Sequence, residues 1–307
     1  MRLSLTSIIT TDKLELPALL YEPTSNSTRA AIWLHGMGDS GSFYNPARMN
    51  ALGRALSDRG TAFLALNNRG AHNTKRLKII DETLPEEDRS YAGGTYQELI
   101  ADCVHDIDGA VNYLQGMGYG QLFLIGHSTG ANKICVYDDL KKGNTPFAKY
   151  VLAGPGDDTG GFFMNLGEKR YWAALKYAAG QLEAAPLRPM PKYTGMWPFS
   201  AQSAWDILNP DGHYNTFPYY EVQHERLGSK PLFAEFKQIT VPAHIIIGNE
   251  DEYMASAGGA RQVLDLFMKY TPDKMIKHHD YSLIEGADHG FSDRYDEFAQ
   301  KVAEWLA

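Results

Sequence analysis

Two hydrophobic periods alternate along this chain. Residues 30–34 (AAIWL), 61–66 (TAFLAL), 121–125 (QLFLI), 150–153 (YVLA) and 243–247 (AHIII) are short, nearly unbroken apolar runs bounded by polar or glycine-containing segments. Runs of that length and character predict strands buried on both faces. Residues 3–9 and 17–21 are more mixed and predict an antiparallel start, and residues 279–283 predict a last strand. Between these lie segments with apolar residues at helical spacing: 47–57, 130–140, 257–270 and 294–306. The clearest such segment begins at Thr95. Leu99, Ile100, Cys103, Val104, Ile107, Ala110, Val111 and Leu114 form one face, Thr95 and Glu98 have the spacing of a capping box, and Gly116 and Gly118 end it.

Strands alternating with helices over short connections predict a mostly parallel sheet covered on both faces. The alternation fails between residues 157 and 230. That stretch holds thirteen aromatic residues, among them Phe162, Phe163, Tyr171, Trp172, Trp197 and Trp205, with scattered prolines and no strand pattern. It reads as a helical cap inserted over the carboxyl ends of the strands, leaving residues 1–156 and 231–307 as the core.

Candidate chemistry begins at Gly126-His127-Ser128-Thr129-Gly130, a G-x-S-x-G pentapeptide. It directly follows one buried strand and directly precedes a helix. A nucleophile elbow needs that setting: the serine occupies a strained turn, and the glycines remove Cβ atoms that would clash. A serine hydroxyl needs a base at neutral pH. Of ten histidines, His289 lies in a loop (GADHG) between the last strand and the last helix. His127 adjoins the serine but should point away across the turn, while His278 and His279 read as surface residues at a strand start. An orienting carboxylate is offered by Asp251, in the loop after the 243–247 strand, with Glu250 as the adjacent rival and Asp288 a weaker one. Two N–H donors for a tetrahedral oxyanion are available from Thr129, after the serine, and from Met37 in the loop His35-Gly36-Met37-Gly38.

Bulk properties narrow the partners. A formal net charge of −8 with no basic block argues against nucleic acid. Two cysteines, Cys103 and Cys135, give no disulfide framework and no cysteine zinc site. No clustered His/Asp ligand motif, P-loop or dinucleotide glycine fingerprint is present, so no cofactor and no metal are expected. The N-terminal segment has no uninterrupted apolar stretch of a signal peptide, and no run could span a bilayer; the cytoplasm is the expected location.

With these motifs in hand, the sequence resembles the α/β-hydrolase superfamily over nearly its whole length. The order Ser128, Asp251, His289, the early His-Gly loop and the insertion after the strand that follows the elbow helix all match that pattern. The GHSTG elbow and GMGDSG loop are similar to a branch containing siderophore esterases, with feruloyl-type carboxylesterases in the wider neighbourhood. The resemblance implies a cofactor-free hydrolase of small-molecule esters, with lactones or thioesters open to the same machinery, or alternatively a ligand-binding member of the fold. One departure is Asn67-Asn68-Arg69-Gly70, where many relatives carry an acidic residue before Arg-Gly.

Overall fold

The computed structural model describes residues 1–307. Its strands are β1 (Arg2–Ile9), β2 (Glu15–Glu22), β3 (Arg29–Leu34), β4 (Thr61–Leu66), β5 (Lys75–Lys78), β6 (Ser90–Gly93), β7 (Gln121–His127), β8 (Phe147–Ala153), β9 (Ala243–Gly248) and β10 (Asp280–Ile284). Eight of them form one sheet in the order β1-β2-β4-β3-β7-β8-β9-β10, while β5 and β6 pair as a separate antiparallel hairpin. Only β1 with β2 and β2 with β4 run antiparallel; every other neighbour pair in the sheet is parallel.

Side chains alternate across a strand, so a strand buried on both faces feeds two separate cores. In β3, Ala30, Ile32 and Leu34 join one apolar cluster, and Ala31 and Trp33 the other; in β7, Leu122 and Leu124 part from Phe123 and Ile125 in the same way. Helices α1 (Pro46–Asp58) and α9 (Tyr295–Trp305) cover one face through Leu52, Leu56, Phe298 and Val302. Helices α2 (Cys103–Gly116), α3 (Thr129–Leu140) and, after the insertion, α8 (Ala260–Tyr270) cover the other through Ile107, Leu114, Ile134, Val263 and Phe267. Continuous apolar runs were thus the visible mark of two cores meeting at one strand.

The insertion between β8 and β9 contains α4 (Asp158–Leu166), α5 (Glu168–Ala179), α6 (Ala201–Leu208) and α7 (Tyr219–Gln223). Its buried residues, including Phe163, Tyr171, Met196, Ala204 and Leu208, belong to the same cluster as Ile134 and Leu152 of the layer beneath. No helix of the chain is long and apolar enough to cross a membrane.

Several expectations need correction. Thr95 and Glu98 do not cap a helix: a short 3₁₀ turn spans Ile100–Asp102 and α2 starts only at Cys103. Thr95 Oγ1 instead accepts the Gly38 N–H at 3.1 Å, and Glu98 pairs with Lys133 at 2.6 Å, both residues buried. The helix expected over 257–270 is broken, because Gly258 and Gly259 take positive φ between a 3₁₀ segment (Glu252–Ala257) and α8. His279 is not a surface residue; it is 8% exposed, and its Nδ1 accepts the Ala243 N–H at 3.2 Å. The short, lysine-rich β5–β6 hairpin had no pattern that would announce it.

Candidate active site

Ser128 joins β7 directly to α3 with φ 56° and ψ −130°, a conformation disfavoured for a side-chain-bearing residue. Its N–H donates to Ala153 O at 2.8 Å, tying the turn to the end of β8. The flanking glycines are required sterically. A Cβ on Gly126 would lie 2.2 Å from Gly130 O, and one on Gly130 would lie 2.2 Å from Leu34 O. The turn is therefore pressed against the end of β3, the strand paired with β7 through Leu34 and Gly126.

That register brings the loop after β3 against the serine. Gly36 approaches so closely that a Cβ there would sit 2.7 Å from Ser128 Cβ. The loop is pinned by the Gly38–Thr95 bond, by Asp39 N–H to Gly36 O (3.3 Å), and by a salt bridge from Arg48 to Asp39 at 2.7 Å. Neither the Met37 N–H nor the Thr129 N–H has a hydrogen-bond partner in the chain. Beside a helix N-terminus, two free donors form an anion-receptive corner.

β9 and β10 are parallel neighbours, with Gly248 opposite Ile284, so the loops that leave them run side by side. His289 Nδ1 and Asp251 Oδ2 are 2.8 Å apart, with the Asp251 side chain fully buried and His289 13% exposed. A carboxylate only accepts, so Nδ1 carries the proton and Nε2 is left as the basic nitrogen. Asp251 Oδ1 accepts the Tyr253 N–H at 3.0 Å, which uses its second oxygen and fixes the carboxylate plane. Glu250 is exposed and makes no bond to His289, and Asp288 Oδ1 is engaged by the Ser292 N–H at 2.8 Å. The end of β8 is where the parts converge: a Cβ on Gly154 would lie 3.3 Å from the His289 ring and 3.4 Å from Asp251 Oδ2. Ser128 makes no direct hydrogen bond to His289; such contacts commonly tighten only when substrate is bound.

Beneath the site, His127 donates from Nε2 to His289 O at 2.8 Å and stacks on Trp33 at 5.9 Å. Burial holds its pKa well below the usual histidine range, so it is a neutral strut for the His289 loop. Arg48 lies over Trp33 and donates to Gly290 O at 3.4 Å, linking the Asp39 loop to the His289 loop. The Asn67–Gly70 departure is accommodated locally. Asn67 Oδ1 accepts the Ser42 N–H, Asn68 Oδ1 accepts the Gly70 N–H, and Arg69 pairs with Asp106 at 2.9 Å.

One site residue escaped sequence reading. Asp158, the first residue of α4, accepts the Thr129 hydroxyl at 2.9 Å. Burial raises its pKa to about 6, and that of its neighbour Asp157 to about 7. An Asp-Asp pair at the start of an insertion carries no periodic signal of which carboxylate faces the serine.

The sheet order, the strained serine turn and the late Asp–His pair define an α/β-hydrolase. Residues 31–301 match the model of the alpha/beta hydrolase family, and the chain belongs to that family. Among curated protein sequences, none matches it. Solved structures resemble it over nearly the full length. An esterase of Pyrococcus furiosus, Pf2001, is 18% identical, with 99% of this chain and 90% of that one covered and a TM-score of 0.58. Est1E from Butyrivibrio proteoclasticus, in a structure with ferulic acid bound, is 14% identical, covering 98% of each chain with a TM-score of 0.61. The α/β-hydrolase GrgF from a Penicillium species is 15% identical, covering 100% of this chain and 98% of that one with a TM-score of 0.63.

Proposed function

We propose that this chain is a serine ester hydrolase in which Ser128, His289 and Asp251 act as nucleophile, base and orienting acid. The observation that carries the reading is the buried 2.8 Å Asp251–His289 pair, converging with the strained Ser128 turn at the end of β8. His289 Nε2 takes the Ser128 proton as Oγ attacks the ester carbonyl, and Asp251 stabilises the imidazolium that results. The oxyanion is received by the Met37 and Thr129 N–H groups. Collapse of the tetrahedral intermediate breaks the C–O bond, and the leaving alcohol takes the proton from His289. Water, deprotonated by the same nitrogen, then attacks the acyl-enzyme and releases the acid and the free serine.

Residues 157–230 act as the cap of this site. Asp158 bonds Thr129, and the Asn132 side chain donates to Gly156 O at 3.0 Å, so the insertion begins against the elbow helix. Its aromatic content, and the ferulic acid bound in the Est1E structure, favour esters with apolar or aromatic parts. The test is Ser128→Ala. The purified variant should lose fluorophosphonate labelling and roughly 10⁴-fold or more of its kcat on nitrophenyl esters, with an unchanged circular dichroism spectrum. A folded variant that keeps ordinary turnover rejects the mechanism, and a wild-type protein that neither labels nor hydrolyses any ester favours a binding role instead.

A further inference from the structure

Asp158 has no part in the mechanism above, yet it stands one hydrogen bond from Thr129, the residue whose N–H would receive the oxyanion. Only its Oδ2 is engaged. Oδ1 has no partner in the chain, and the residue is half-buried at the start of the insertion. The cations around it are already matched: Lys133 of α3 pairs with Glu98 at 2.6 Å, and His289 pairs with Asp251. The other acids packed nearby are also occupied. Asp157 accepts the Gly160 and Tyr220 N–H groups, and Glu221 of α7 is paired with Arg226 at 2.6 Å. Asp158 is thus a carboxylate with a free oxygen and no cation of its own, placed beside a position where negative charge must form. Alone, its charge opposes the oxyanion; paired with a positive group brought by the substrate, it binds that substrate and ceases to oppose the transition state.

On the serine-esterase reading, we infer that Asp158 is a specificity determinant selecting esters that carry an ammonium group a few bonds from the scissile carbonyl. Three 4-nitrophenyl esters of equal acyl length test this: β-alanyl (cationic), butanoyl (neutral) and succinyl (anionic), each corrected for uncatalysed hydrolysis. Wild-type kcat/KM should follow the order β-alanyl, butanoyl, succinyl, with a β-alanyl to butanoyl ratio of roughly 10-fold or more. Asp158→Asn keeps an acceptor for Thr129 and removes the charge, so the ratio should fall to within about 2-fold, and Asp158→Glu should restore its direction. In the wild-type enzyme the ratio should also decline as the pH is lowered through about 6, where Asp158 takes up a proton. That measurement needs no variant to fold. A wild-type enzyme indifferent to the three esters, or a ratio unmoved by both Asp158→Asn and pH, overturns the inference while leaving the esterase reading intact. Absence of hydrolysis and of fluorophosphonate labelling overturns the esterase reading and this inference with it.

Discussion

Gly36→Ala is the sharpest perturbation of the proposed oxyanion loop. Gly36 is not among the glycines with positive φ, so alanine there carries no backbone penalty and the effect is steric. Its new methyl carbon would sit 2.7 Å from Ser128 Cβ, 3.2 Å from Ser128 Oγ and 3.3 Å from His127 O. Carbon atoms in contact rest at about 3.5–4.0 Å, so the loop or the serine must retreat by roughly 1 Å. The serine is held by its N–H bond to Ala153 and the loop by Thr95 and Arg48, so neither moves freely. A displacement of that size in a reacting constellation costs about 10²-fold. It should appear in kcat, because the Met37 N–H is misaimed at a charge present only in the transition state. Overpacking of this kind costs about 1–3 kcal/mol of stability, tolerable for a domain of this size. Steady-state kinetics on 4-nitrophenyl butanoate, with a thermal melt of the same preparation, measures both. A folded Gly36→Ala enzyme with wild-type kcat would show that this loop takes no part in catalysis.

Two further outcomes are expected. Asp251→Asn should lower kcat by about 10²- to 10⁴-fold by favouring the wrong His289 tautomer, whereas Glu250→Gln, exposed and unbonded to His289, should change it little; side-by-side kcat values near neutral pH decide the assignment. Asp206, buried in α6 and accepting the Ile100 N–H at 2.7 Å, has its pKa raised by burial to about 6. The folded chain therefore holds this proton where the unfolded chain, near 3.8, has released it. The stability this contributes is full below about pH 4 and is lost as pH rises through about 6. Asp206→Asn should gain up to about 3 kcal/mol relative to wild type between pH 4 and pH 8, and parallel denaturation curves across that range would contradict the linkage.

The sheet was legible because its chemistry is written locally. A strand such as TAFLAL, apolar on both sides, fits few environments other than the middle of a layered α/β domain. The elbow was legible because two glycines and a serine must coincide with a strand–helix junction. Residues whose role is set by partners distant in sequence misled. Thr95 and Glu98 satisfy the spacing of a capping box, but tertiary demands claim both: Thr95 anchors the Gly38 N–H, and Glu98 neutralises buried Lys133. His279 read as polar and exposed because nothing in the sequence tells that its nitrogen faces the Ala243 N–H. Asp158 was invisible for a related reason, since its place depends on where an irregular insertion first touches α3.

The shared apolar cluster of insertion and core bears on how substrate arrives. Prising Phe163, Tyr171, Met196 and Leu208 away from it would return four large side chains to water, at a cost of about 8 kcal/mol. That is comparable to the whole stability of an ordinary domain. The insertion consequently unfolds together with the sheet rather than ahead of it. The aperture leading to Ser128 is set when the chain folds, and reactant size is filtered by a rigid mouth instead of a swinging hinge.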